Sequence, residues 1–187
     1  SKLIRNIFGD TDVSESEGKK RHLFASAITP KGIMNYLPTL ITSKEVYILK
    51  GKPGTGTERL LERVRLAAAE RGFYTESFYC ALNPHKLEHL IIPDLDTCLT
   101  TSNTYHQTDV DTAEVIDLDL YLDNKALDRY TDIISFNDNE IEKLLDRAVQ
   151  TIKQAKKYHD ELESYYVPNM NFNEVSKCRD DTLKRLL

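Results

Sequence analysis

Eight consecutive residues, Gly51-Lys52-Pro53-Gly54-Thr55-Gly56-Thr57-Glu58, carry the clearest chemical signal in the chain. Three of the seven glycines fall in this stretch. An apolar run, Val46-Tyr47-Ile48-Leu49, precedes it, and an amphipathic run from Leu60 to Ala69 follows. Strand, glycine-rich turn and helix in that order is the context of a loop that cradles phosphate. Gly51, Gly54 and Gly56 permit positive φ and a close backbone, so main-chain N–H groups can converge on an anion. The start of the following helix would add its positive dipole end. The chemistry is incomplete, however. Where the pattern asks for lysine and then serine or threonine, the chain has Thr57 and Glu58. Thr55-Gly56-Thr57-Glu58 instead has the form of a capping box, with Thr55 at the N-cap and Glu58 returning its carboxylate to the N-cap amide.

Other residues near this chemistry are few. Lys50 and Lys52 flank the first loop glycine and are candidate substitutes for the missing cation. Asp117 follows Val115-Ile116, and an acid at the end of an apolar strand is a candidate carboxylate on the metal side. His85, His89 and His106 lack the spacing of a zinc site, and surface or capping roles are expected for them. No serine or cysteine sits in a nucleophile-elbow pattern. No residue is assigned a catalytic role, and no metal-ligand set is assigned.

The elements that must position the loop follow from patterning. His22 to Ala27 reads as a strand, and Thr29-Pro30 reads as a cap and first turn of a helix over residues 30–37. Val46 to Leu49 is a continuous apolar run, as expected of a central parallel strand. The helix after the loop points Leu60, Leu61, Val64, Ala67 and Ala68 inward and ends at Gly72. A strand centred on Ser77-Phe78-Tyr79-Cys80, a short helix opened by Asn83-Pro84, and two strands around Pro93-Asp94 come next. Strands alternating with helices predict an α/β fold with a mostly parallel sheet flanked by helices.

The tail is of different character. Asn137 to Glu140 resembles a capping box, after which Ile141, Leu145, Ala148, Ile152, Ala155, His159, Leu162 and Tyr166 recur in steps of four and three. Pro168-Asn169 interrupts the pattern, and Val175, Cys178, Leu183 and Leu186 form a second stripe. An antiparallel helical hairpin over 137–187 is expected, with Leu145 and Ile152 buried in its seam. Either core packing or binding of a protein partner would explain that seam.

Composition bounds the function classes. The 187 residues carry a formal net charge of −5, which argues against a general nucleic-acid binder. No apolar run is long enough to span a bilayer, so no membrane partner is expected. The three cysteines, Cys80, Cys98 and Cys178, have no Cys-x-x-Cys spacing and accord with a reduced, cytoplasmic protein.

Several segments together resemble a family of bacterial and archaeal tandem P-loop ATPase-like proteins. They are Arg21 through Gly32, the loop 51–58, Leu87 through Leu95, and a tail from His159 through Phe172 similar to the family's helical arm. The resemblance implies a second, carboxyl-terminal P-loop domain over residues 20–136, bearing the hairpin 137–187. Residues 1–19 would then be the helix end and linker of an upstream P-loop domain, the implied partner in the same polypeptide. The echo of the opening helix in Thr182 to Leu187 fits that expectation. The family pattern places lysine at Thr57, serine at Glu58, and an acid at Thr101 where a Mg²⁺-organising carboxylate belongs. ATP and Mg²⁺ are the implied cofactors, expected to bind weakly or not at all here. Three readings follow: an inactive structural or regulatory half of a tandem protein, a working ATPase that substitutes Lys52 or Lys50 and Asp117, or an interaction module supporting the hairpin.

Overall fold

The computed structural model describes residues 2–103, 107, 110–111 and 113–187. In chain order the elements are α1 (Lys2–Phe8), β1 (Lys20–Phe24), β2 (Ser26–Thr29), β3 (Gly32–Asn35), α2 (Leu37–Leu40), β4 (Glu45–Lys50) and α3 (Thr57–Glu70). They continue with β5 (Thr75–Tyr79), β6 (Leu87–Ile92), β7 (Thr97–Ser102), β8 (Glu114–Asp117), α4 (Asn124–Leu127), α5 (Thr131–Tyr166) and α6 (Phe172–Leu186).

Six strands form one sheet in the order β1-β5-β6-β7-β4-β8. The pairings β1–β5, β7–β4 and β4–β8 are parallel, whereas β6 runs antiparallel to both of its neighbours. The fold is thus α/β with a mostly parallel sheet, as the alternation of elements predicts. β4 is an interior strand, and its Val46, Tyr47, Ile48 and Leu49 are all buried, which explains the unbroken apolar run. α3 lays Leu61, Val64 and Ala68, each fully buried, into the same core as Leu49, Leu90, Ile92 and Leu99. Gly72 ends that helix at φ +81°, and the Phe73 N–H reaches back to the Ala68 carbonyl. α1 belongs to this core too: Leu3 and Phe8 are buried, and the Phe8 ring stacks on Phe73 at 5.9 Å. The polar segment after α1 is tied down, because the Ser14 and Gly18 amides donate to the carbonyls of Glu70 and Ala69.

Four sequence expectations are corrected. Residues 30–37 are not a helix: Ser26–Thr29 and Gly32–Asn35 pair as a two-stranded hairpin. Thr29 uses its hydroxyl in the tight turn, accepting from the Lys31 amide and donating to the Gly32 carbonyl, so it caps no helix. Asn83-Pro84 opens a turn in which Lys86 N–H bonds the Asn83 carbonyl, and β6 follows directly. The long helix begins at Thr131, so Asn137 and Glu140 lie within it. Finally, the tail is helical without a buried seam. Every residue of α6 is exposed, and Leu145 and Ile152 are only half-buried. α5 instead lies against β2 and β3, and its half-buried residues all fall between Glu140 and Ile152.

Candidate functional site

The glycine loop leaves the carboxyl end of β4, flanked by β7 on one side and β8 on the other. Ligands of open α/β sheets bind at such strand ends. The register places Thr101 beside Leu49 and Asp117 beside Lys50, so both candidate metal-side residues border the base of the loop from opposite sides. The chain therefore brings together the loop 51–58, Thr101 and Asp117.

Within the loop, Gly54 and Gly56 adopt φ of +90° and +89°, a region that disfavours residues with a Cβ. Gly51 is needed for space instead: a Cβ there would lie 2.4 Å from Thr55 Oγ1 and 3.3 Å from the Thr57 methyl. The Thr55 hydroxyl donates to the Lys52 carbonyl at 2.8 Å and closes the turn around Pro53.

That bond corrects the capping-box expectation. The N-cap of α3 is Gly56 in the left-handed region, with no side-chain cap, and Glu58 sits in the first helical turn without returning to an amide. Glu58 borders a surface groove of about 430 Å³ with Arg59, Arg63 and His85, turned from the loop mouth. Thr57, at the position of the expected lysine, is buried with its methyl beside Gly51.

An internal anion does reach the loop, but it comes from another segment. The main-chain N–H of Lys52 donates to Asp119 Oδ1 at 2.8 Å. Asp119 is itself oriented by Asp117, whose Oδ1 accepts from the Asp119 amide at 3.0 Å. Asp117 Oδ2 lies 3.8 Å from Lys50 Nζ, and Leu118 N–H bonds the Lys50 carbonyl at 2.8 Å. Asp117 is therefore committed to orienting its own strand end. Sequence reasoning missed Asp119 as a loop partner; its signal was an acid two residues beyond Asp117, which reads equally as solvated surface.

Two clefts open on the outer edge of the loop. One of about 590 Å³ is bordered by Lys50, Gly51, Lys52, Ser102, Asn103 and Asp119. The other, about 490 Å³, lies between Lys52, Pro53 and Thr55 and the start of α5, including Thr131 and Ile134. Lys52 borders both, whereas Thr57 and Glu58 border neither.

Of the histidines, His89 is buried with Nδ1 2.7 Å from Thr100 Oγ1, bridging neighbouring strands. His85 is exposed near the Asn83 turn, and His106 lies outside the described residues. Among the described residues one cluster brings three metal-type ligands together, the exposed His159, Asp160 and Glu163 on α5, far along the chain from the loop.

No helix among the described residues is long and apolar enough to cross a membrane. Compared with known proteins, the chain matches no family model, no curated protein and no solved structure.

Proposed function

We propose that this chain is a P-loop NTPase-like domain whose loop has kept its shape and lost its phosphate chemistry. The observation that carries this reading is the pairing of intact loop geometry with a sealed lysine position. Gly54 and Gly56 keep their left-handed conformations at the end of a buried parallel strand, while Thr57 is buried without charge. Phosphoryl transfer needs cations to neutralise charge on the transferred group and its leaving oxygen. Thr57 and Thr101 supply none, and Asp117 is held by Lys50 and the Asp119 amide. The residues present do not fit ATP with Mg²⁺ in the ordinary arrangement. The domain would act as a structural or regulatory half beside an intact P-loop domain of the same polypeptide. Three unpaired cysteines accord with a reducing, cytoplasmic setting.

Calorimetric titration of Mg²⁺-ATP into the native chain tests the reading, with Thr57→Lys plus Glu58→Ser titrated alongside. The native chain is expected to show no heat of binding and no hydrolysis above background, and the double variant is expected to bind. Tight binding by the native chain that is lost in Lys52→Ala would favour a working ATPase built on the substitute lysine.

A further inference from the structure

His159 and Glu163 are four apart on α5, so their side chains share one face of the helix a turn apart. Asp160 follows His159 and reaches the same point from the flank. Each of the three brings one ligand atom, and these atoms lie within 4.8 Å of one another. His159 Nδ1 stands 3.7 Å from Asp160 Oδ1 and 3.6 Å from Glu163 Oε1. Both separations are longer than a hydrogen bond, about 2.7–3.2 Å. They are close to the spacing of ligands around a common ion. Atoms held about 2.0–2.1 Å from a tetrahedral zinc stand roughly 3.3 Å from each other. A shift of a few tenths of an ångström in exposed side chains closes that difference.

The mixture of ligands selects the kind of ion. Carboxylates alone suit Mg²⁺ or Ca²⁺, whereas an imidazole beside them favours zinc, nickel and copper. Three protein ligands leave a fourth position for water, so the site is open and exchanges with solvent. One cation competes for it from within the helix. Lys156, one turn earlier, pairs with Asp160. Its ammonium engages the flanking carboxylate and leaves the His159–Glu163 pair to a metal.

We propose that His159, Asp160 and Glu163 form a surface site for a divalent transition ion, Zn²⁺ above all, with water as the fourth ligand. The site lies in the half of α5 where every residue from Lys153 to Tyr166 is exposed. An ion held there ties two successive turns together and stabilises the helix by mass action. The inference is independent of the glycine loop and of its loss of phosphate chemistry.

Calorimetric titration of Zn²⁺ into the tag-free, reduced full chain tests this, with Mg²⁺ titrated in parallel. The native chain is expected to bind Zn²⁺ at this site and to show no comparable binding of Mg²⁺. His159→Ala and Glu163→Gln are each expected to weaken the Zn²⁺ site by about tenfold or more, with helicity in the absence of metal unchanged. Lys156→Gln removes the competing cation and is expected to tighten it. Electron paramagnetic resonance of bound Cu²⁺ is expected to show one imidazole nitrogen and to lose it in His159→Ala. Amide hydrogen exchange from Ala155 to Tyr166 is expected to slow when Zn²⁺ is added. No Zn²⁺ binding below about 1 mM would overturn the inference. So would Mg²⁺ binding as tight as Zn²⁺, or a Zn²⁺ affinity unchanged in His159→Ala. Weaker binding in Lys156→Gln would remove Asp160 from the ligand set and overturn the three-residue site.

Discussion

Lys52 and Asp119 are joined by a hydrogen bond of 2.8 Å from the loop amide to the carboxylate, across a gap of 67 residues in the chain. The bond fastens the first turn of the glycine loop to the segment after β8, and it spends on a side chain a donor that a phosphate loop would offer to a ligand. Asp119→Ala is expected to destabilise the fold modestly, by about 0.5–1.5 kcal/mol, because the pair is exposed and water can replace it. Added to Thr57→Lys and Glu58→Ser, the same change is expected to tighten Mg²⁺-ATP binding about fivefold over the double variant, worth about 1 kcal/mol. Urea titration and calorimetry measure the two effects. An unchanged affinity in the triple variant would show that Asp119 does not compete for the site.

The loop glycines separate into two kinds. Gly54 and Gly56 have open space where a Cβ would go but φ near +90°, so alanine at either is expected to destabilise by about 1–2 kcal/mol through backbone strain. At Gly51 the obstacle is steric and is the Thr55 hydroxyl. Gly51→Ala must displace that hydroxyl from the Lys52 carbonyl. Thr55→Ala removes the obstructing atom, so the double change is expected to be less destabilising than the sum of the singles. Strict additivity in denaturant titrations would refute this steric account.

The parts of this fold legible in the sequence are those where one local signal has one structural meaning. Four apolar residues before a glycine cluster specified β4, and a 3.6-residue apolar pattern ending at Gly72 specified α3. Of the candidate residues, Thr101, suggested by a family pattern, and Asp117, suggested by the acid after Val115-Ile116, both fall beside β4 in the register. Ambiguous signals were decided by tertiary context. Thr29-Pro30 fits a helix start and a tight turn equally, and pairing of Ala27 with Met34 selected the turn. Asn137 and Glu140 have capping spacing, yet nothing ends the helix that reaches them from Thr131. The antiparallel course of β6 depends on the left-handed Asp96 turning the chain after Pro93, which no periodicity announces. Asp119 became a loop partner only through the register of β8 on β4.

Core and arm are expected to respond differently to the same truncation. Leu49 is fully buried between α3 and the neighbouring strands, so Leu49→Ala is expected to lose about 2–5 kcal/mol. Leu145 is only half-buried on α5, and removing its methyls leaves a site that water can reach. Leu145→Ala is therefore expected to lose less than about 1.5 kcal/mol, roughly half the transfer value of a fully buried leucine. Chemical denaturation of the two variants beside the native chain measures both losses. Equal losses would mean that α5 is integral to the core.

The three cysteines report burial at three depths. Cys178 is exposed, Cys80 is half-buried, and Cys98 is buried in β7. Burial pushes the Cys80 thiol above its ordinary value, with the neighbouring Glu88 carboxylate adding to the rise. For Cys98 burial alone raises the thiol from 9.0 to about 12. Alkylation of the native chain is therefore expected to proceed in the order Cys178, Cys80, Cys98, with Cys98 labelled only on unfolding. The stability consequence has a definite sign. Between pH 9 and 12 the unfolded chain releases the Cys98 proton while the folded chain keeps it, so the unfolded state is favoured as pH rises through that window. Below pH 9 both states hold the proton, and the group contributes no pH dependence. Cys98→Ser removes the titrating group, so the stability gap between native chain and variant is expected to narrow above pH 9, by at most about 1.4 kcal/mol per pH unit. Parallel urea titrations at neutral and alkaline pH measure that gap. A gap independent of pH, or Cys98 labelling as fast as Cys178, would show that water reaches the interior face of β7.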